Sequence, residues 1–153
     1  METSLRIFEN NRNVFLRLIE NFTLDQLNAI PTGFSNNIIW NLGHIIVTQQ
    51  ILVYNLSGLP MLVSNEMIEK YKNGSKPTRN TSQEEVDAIK NLLLTTVTKT
   101  KNDFNTPSFF QNYEGYVTKS TGFAINSANE ALNFNNFHEG VHLGFLMNIR
   151  KFI

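Results

Sequence analysis

The segment from Gln26 to Asn65 contains no Asp, Glu, Lys or Arg, and this absence limits the folds open to the chain. An uncharged segment of this length suits either a membrane span or a helix buried on most sides. Polar residues interrupt it, and the stretches between them fall far short of the roughly 20 apolar residues that a bilayer requires. These interruptions are Asn41, His44, Gln49, Gln50 and Asn55. The segment therefore predicts a helix buried inside a soluble protein, not a membrane helix.

The spacing of apolar residues predicts four long helices. The third begins at Thr81 or Ser82, since each is followed three residues later by Glu, which is the pattern of a capping box. The predicted long helices run from about Ser4 to Asn21, Ser35 to Leu56, Ser82 to Phe104 and Ser127 to Phe152. The minor elements are a turn from Thr23 to Ile30, a short helix from Asn65 to Tyr71 and a weak strand candidate from Tyr113 to Thr118.

Four long helices in 153 residues predict an all-α fold, a four-helix bundle that forms a single domain over residues 1–153. The connection between the second and third helices has roughly two dozen residues, whereas antiparallel neighbours usually need two to eight. Such a long crossover lets these two helices run parallel. The expected topology is therefore up-down-down-up, with long crossover connections.

Charge and cysteine content exclude several classes of function. The formal net charge is zero, which argues against a sequence-independent nucleic-acid binder, because such a protein needs a basic surface. Cysteine is absent, so the chain has no thiolate metal ligand and no cysteine nucleophile. The first residues contain acids and no apolar core of a secretion signal, so we expect a cytoplasmic protein.

The three histidines of the chain are candidate ligands of one divalent metal ion. His138 and His142 are four residues apart, which places them one above the other on the same face of a helix. His44 lies far upstream, within the buried helix, and would complete a three-histidine site with an open position. It belongs to a polar row with Asn37, Asn41 and Thr48, and this row faces either a wet cavity inside the bundle or solvent.

A polar residue stands three positions before each histidine, where it would fix the imidazole tautomer as an outer-shell partner of the metal. These residues are Asn41, Asn135 and Glu139. Asn is frequent in this chain, so two of the three coincidences carry little weight.

Residues 138–142 also match the His-Glu-x-x-His pattern of zinc proteases, in which Glu is the general base. That mechanism needs a third ligand, usually well downstream, and only eleven residues follow His142. A protease is therefore not expected. Glu139 remains a candidate catalytic residue, because it is the only carboxylate adjacent in sequence to the histidine pair. It would polarise a bound water or orient His142.

Two motifs resemble those of the DinB-like superfamily, which includes the damage-inducible DinB proteins and the YfiT-type metalloenzymes. The first is Trp-Asn-Leu-Gly-His at 40–44, and the second is His-Glu-Gly-Val-His-Leu-Gly at 138–144. Ser-Gly-Leu-Pro at 57–60 and Thr-Gly at 121–122 extend the resemblance over nearly the whole chain.

The resemblance implies an up-down-down-up bundle, commonly a homodimer, with zinc or nickel held by His44, His138 and His142. Characterised relatives act with low-molecular-weight thiols, as in bacillithiol S-transferases and mycothiol-dependent maleylpyruvate isomerase. Others are described as metal-dependent hydrolases. A thiol cosubstrate and a small electrophilic substrate are thus the expected partners, with no nucleic acid and no membrane.

Three functions follow from these expectations. A chain without cysteine must take its nucleophile from elsewhere, so a metal-bound thiol would attack an electrophile, with Asn41, Thr48 and Glu139 orienting the pair. Alternatively, a metal-bound water would hydrolyse a substrate while Glu139 carries the proton. The third alternative is a metal-binding or structural dimer without turnover.

Several other residues have weaker functional interpretations. Trp40 is expected in the core, with a place in the pocket wall as the alternative. Arg150 and Lys151 would either bind an anionic substrate or complement the helix dipole. Tyr113 and Tyr116 would close over the site from the loop before the last helix.

Overall fold

The computed structural model describes residues 1–106 and 110–153, and most of these residues are helical. The helices are α1 (Glu2–Ile19), α2 (Leu24–Asn28), α3 (Ile38–Gln49), α4 (Asn65–Tyr71), α5 (Gln83–Phe104) and α6 (Ala128–Ile149). A two-stranded antiparallel ribbon of β1 (Tyr116–Val117) and β2 (Ala124–Ile125) precedes α6. The prediction of an all-α bundle is confirmed.

The start of α5 shows how local sequence fixes a helix boundary. Ser82 Oγ accepts a hydrogen bond from the Glu85 N–H at 3.3 Å, and the Glu85 carboxylate accepts one from the Ser82 N–H at 3.1 Å. Thr81 is buried instead, with its N–H bonded to the side chain of Asn28 at 2.7 Å. Of the two predicted caps, the structure therefore uses Ser82.

The first and last helices run parallel. Near their starts, Ser4 Oγ donates to Asn133 Oδ1 at 2.6 Å. Further along both helices, Arg12 Nη2 lies 2.7 Å from Glu139 Oε1. The residue numbers of the contacting pairs increase together along the two helices, so α1 and α6 run parallel.

Helix α3 runs against α6 and alongside α5. Asn41 near the start of α3 bonds to His142 near the end of α6, which makes that pair antiparallel. On the other side, Gln49 Nε2 donates to Thr100 Oγ1 at 3.1 Å, and Tyr54 further on donates to Asp103 at 2.7 Å. The long connection that contains α4 thus joins parallel helices, and the predicted up-down-down-up order is confirmed.

The predicted helix from Ser35 to Leu56 is interrupted. Its regular α-helical part ends at Gln49, one π-helical turn follows from Gln50 to Tyr54, and a 3₁₀ turn covers Asn55–Ser57. The wider turn leaves the Leu52 carbonyl free to accept a hydrogen bond from the Tyr113 hydroxyl at 3.0 Å. Apolar spacing over five residues does not distinguish a π turn from an α turn, so the sequence could not predict this.

Hydrogen bonds inside the bundle satisfy several polar residues of the uncharged segment, among them its two adjacent glutamines. Gln49 and Gln50 are both fully buried, and Gln50 Oε1 accepts from the Leu62 N–H at 2.7 Å.

Within the described ranges, no helix is both long and apolar enough to cross a membrane.

Candidate metal centre

The three imidazoles converge where α3 faces α6. His44 comes from α3, while His138 and His142 come from successive turns of α6, and one ring nitrogen of each lies within 4.8 Å of the others. His138 Nε2 and His142 Nε2 are 3.2 Å apart. The helical spacing and the predicted topology thus bring together the three residues proposed from sequence.

Tyr71, the last residue of α4, orients His44. Its carbonyl oxygen accepts a hydrogen bond from His44 Nδ1 at 2.7 Å, which leaves Nε2 as the free donor atom of the ring. The Tyr71 ring rests directly on Gly43, where a methyl group would lie 2.5 Å from it. On its other side, the His44 ring stacks on Trp40 with centroids 4.8 Å apart and planes 9° apart.

Asn41 orients His142. Its Oδ1 accepts from His142 Nδ1 at 2.8 Å, and its Nδ2 donates to the Asn37 carbonyl at 2.7 Å. Asn41 was expected to hold His44, three positions later, but its partner comes from α6 instead. Asn37, Asn41 and His44 are all buried, so this polar row faces the interior of the bundle and not solvent.

The donor set fits a divalent ion. His44 and His142 both donate through Nδ1, so each offers an Nε2 lone pair to the centre. His138 Nδ1 is buried without a hydrogen-bond partner, and its Nε2 faces that of His142. Two ligand nitrogens bound to one ion at about 2.1 Å lie roughly 3.0–3.4 Å apart, which matches the 3.2 Å found here.

Burial keeps all three imidazoles neutral. It lowers the pKa of His138 to about 2, with further contributions from His142, His44 and Arg12. The pKa of His142 falls to about 3 for the same main reason, and that of His44 is also lowered by burial. A metal ion at neutral pH therefore meets no proton competition for these lone pairs.

Glu139 points away from the imidazoles, towards α1. It is fully buried, and its Oε1 lies 2.7 Å from Arg12 Nη2 and 2.8 Å from Asn135 Nδ2. Burial raises the pKa of the Glu139 carboxyl, while Arg12 and Asn135 oppose that rise. The catalytic role expected for Glu139 stays a prediction.

Arg12 was not identified from the sequence as a site residue. It is fully buried, binds Glu139, and donates from Nη2 to the Ile45 carbonyl of α3 at 3.3 Å. A signal was present, because Arg12 stands between Phe8 and Phe15 in the apolar stripe of the first predicted helix. A charged residue in such a stripe indicates a buried partner.

The imidazoles line a cavity of about 500 Å³ between α3, α6 and the β1–β2 ribbon. Trp40 belongs both to the core and to the cavity wall, and Tyr116 lines the cavity from β1. Thr48 also lines it, with its hydroxyl 3.4 Å from His44 Nε2. Arg150 and Lys151 lie at the end of α6 and do not line it.

The comparisons with known proteins agree with this geometry. The family model described as the DinB superfamily matches residues 7–146. That range contains all three histidines and all four long helices except the outermost residues of α1 and α6. The comparison with curated proteins gave no match.

Proposed function

The chain belongs to the DinB superfamily, and on that premise we propose that it is a metal-dependent enzyme whose ion is held by His44, His138 and His142. The convergence of three neutral Nε2 atoms on the floor of a cavity is the observation that carries this proposal. Imidazole ligands suit zinc and nickel, the metals that the family resemblance implies.

The reaction proposed is S-transfer from a low-molecular-weight thiol to a small electrophile. An ion in this site supplies Lewis acidity, which lowers the pKa of a thiol that binds there. The sulfur forms a bond to the electrophilic carbon while the bond from that carbon to a halide, or to the oxygen of an epoxide ring, breaks and its electron pair goes to the halide or the oxygen. The thiol proton goes to solvent when a halide leaves and ends on the oxygen when an epoxide opens. The chain itself supplies no sulfur nucleophile, because it has no cysteine.

The side chains around the cavity favour a thiol over water as nucleophile. Within the described part of the chain, no Asp or Glu lines the cavity, and Glu139 is bound to Arg12. Hydrolysis gains from a general base beside the attacking water, whereas an ion held by the histidines would lower the pKa of a thiol enough for it to lose its proton without such a base. Thr48 and the stacked Trp40 ring would position the reactants beside His44.

A metal analysis combined with an activity screen tests the proposal. Protein purified without added metal is assayed by elemental analysis, then incubated with aryl halide and epoxide electrophiles, with and without cysteine or N-acetylcysteine. We expect about one ion per chain in the wild type, a loss of that ion in His138→Ala, and thiol-dependent consumption of an electrophile. Asn91→Ala is the control, because Asn91 is exposed on α5 and does not line the cavity; this variant should keep both the ion and the thiol-dependent activity.

The other outcomes of this screen identify the alternatives. Consumption of a substrate without thiol would make the protein a metal-dependent hydrolase. Metal binding without turnover of any substrate would support the third alternative, a metal-binding dimer that is not an enzyme. A stoichiometric ion content that survives His138→Ala would contradict the proposed site itself.

The proposed enzyme is a homodimer, as the family resemblance implies. Support comes from the exposed side of α6, where Phe145 is 50% exposed and Val141, which also lines the cavity, is 42% exposed. On the same helix, Gly140 and Gly144 have no atoms near their missing side chains, so another helix can approach closely. Sedimentation of the wild type and of Gly144→Arg tests this: the wild type should sediment as a dimer and the variant as a monomer.

A further inference from the structure

A turn closed by hydrogen bonds forms part of the lining of the metal cavity. Residues 118–121 lie in the connection between β1 and β2, and Thr118 is only 4% exposed. Its hydroxyl lies 2.7 Å from that of Thr121, and its carbonyl accepts from the Gly122 N–H at 2.9 Å. This closed turn presents Lys119 and Ser120 at its tip, and both line the cavity.

Of the lysine, arginine, aspartate and glutamate side chains that the structure describes, Lys119 alone lines the cavity. Within the described residues, no carboxylate lines the cavity to oppose this positive charge. Among the residues that the structure describes, Lys119 takes part in no ion pair. A divalent ion at the histidines would add to this positive charge, so the cavity would favour anionic ligands.

Aromatic side chains supply much of the apolar part of the cavity lining. Trp40, Phe134 and Phe137 line the cavity, and Phe134 and Phe137 also line a neighbouring groove of about 610 Å³. Phe123 stacks on Phe134 in that groove, with planes 11° apart. Such walls bind an organic group and not a bare inorganic anion.

We infer that the cavity binds an organic anion, with an apolar or aromatic body along Phe134 and Phe137 and a carboxylate or phosphate on Lys119. The reactive end of this ligand lies at the three histidines, and its anionic end is paired with the ammonium group and the Ser120 hydroxyl at the turn. The inference rests on the proposed function, because it names the chemical class of that cavity's ligand.

Three thiol probes that differ only in the distal group test the inference. They are benzyl mercaptan, 4-(mercaptomethyl)benzoate and 4-(mercaptomethyl)phenyl phosphate, each titrated calorimetrically into the zinc-loaded protein. The variants are Lys119→Ala and Lys119→Glu. Lys90→Ala is the control, since Lys90 lies on α5 and does not line the cavity.

The charged probes should bind the wild type more tightly than benzyl mercaptan, by roughly two- to fivefold for one exposed ion pair. Lys119→Ala should abolish that advantage, Lys119→Glu should reverse it, and neither should change the Kd of benzyl mercaptan. Lys90→Ala should leave all three affinities unchanged. The charged probe whose affinity falls more in Lys119→Ala identifies whether carboxylate or phosphate is the preferred anion.

Two results would overturn the inference. The first is that the charged probes bind Lys119→Ala as tightly as they bind the wild type. The second is that Lys119→Ala loses the same factor of affinity for all three probes. A fourth probe, 4-methylbenzoate, separates this inference from the thiol proposal. If it binds as tightly as the thiol-bearing benzoate, with the same dependence on Lys119, the anion site stands and thiol binding fails.

Discussion

Asn41 Oδ1 accepts a hydrogen bond from Nδ1 of His142 at 2.8 Å, although the two residues are 101 positions apart in the sequence. This bond joins α3 to α6 and directs Nε2 of His142 towards the other two imidazoles. The geometry of the proposed metal site therefore depends on a side chain that would not itself bind the ion.

Removing the acceptor of Asn41 should weaken metal binding. Asn41→Leu leaves the His142 tautomer unfixed, so we expect the metal Kd to rise by roughly 10- to 100-fold. Asn41→Asp keeps an acceptor at the same place, so it should bind zinc clearly more tightly than Asn41→Leu does. Competition with a chromophoric chelator measures both constants, and a wild-type Kd for Asn41→Leu would contradict the role assigned to this bond.

A methyl group at Gly43 should disturb His44 through Tyr71. In Gly43→Ala the new Cβ would lie 2.5 Å from the Tyr71 ring, so the ring and its carbonyl must move away from α3. We expect weaker zinc binding and a lower thermal midpoint. Gly115→Ala is the matched control: its Cβ would make only ordinary contacts, at 3.6 Å and beyond, so the zinc affinity and the thermal midpoint should stay close to those of the wild type. Equal effects of the two substitutions would exclude the Tyr71 contact as the cause.

Breaking the buried pair of Arg12 and Glu139 should be costly. Arg12→Met leaves the Glu139 carboxylate buried without its cation, and a loss of about 3–5 kcal/mol in the free energy of unfolding is expected. The double variant Arg12→Met/Glu139→Leu should be more stable than Arg12→Met alone, because no charge remains buried. Urea unfolding of the metal-free proteins measures these differences.

Glu139→Gln separates the catalytic role expected for this residue from a positioning role. A positioning residue acts through Arg12 and the packing of α6, so the variant should lose stability yet keep its pH–rate profile and its kcat once loaded with metal. A lower kcat together with the loss of one limb of the pH–rate profile would instead show that Glu139 carries a proton in the reaction.

The stability of the metal-free protein should fall on mild acidification. The pKa is about 2 for His138 and about 3 for His142 in the fold, below the ordinary 6.5, so only the unfolded chain takes up protons at these positions. The free energy of unfolding is therefore highest above about pH 6.5 and decreases from there towards pH 3. With two such groups, it changes by up to about 2.7 kcal/mol per pH unit.

Urea unfolding between pH 7 and 5, in the presence of a chelator, measures this slope. His138→Gln/His142→Gln is the control and should show a smaller slope, since only His44 remains. Identical slopes for the control and the wild type would show that these two imidazoles are not the cause.

The sequence predicts well those features that repeat along one helix. Apolar periodicity and capping patterns located the long helices, and the spacing of His138 and His142 placed both rings on one face of α6. The length of the connection after α3 was sufficient to predict the helix order. These signals are local, or depend only on chain length, so no knowledge of packing was needed.

Features that depend on packing between distant segments were not predictable. Tyr71 binds His44 only because α4 folds back on Gly43, and Arg12 finds Glu139 only because α1 and α6 are parallel neighbours. The π-helical turn depends on partners such as Leu62 and Tyr113, which are remote from it in sequence.

The division of the histidines between α3 and α6 has a consequence for the whole bundle. An ion held by His44, His138 and His142 is a reversible cross-link between two helices whose connection along the chain includes all of α4 and α5. The ion leaves when the helices separate, so the melting temperature should depend on the free metal concentration. At a concentration a thousand times Kd, the ion adds about 4 kcal/mol to the free energy of unfolding. Metal supply would then govern how long the folded protein persists, independently of any reaction it catalyses.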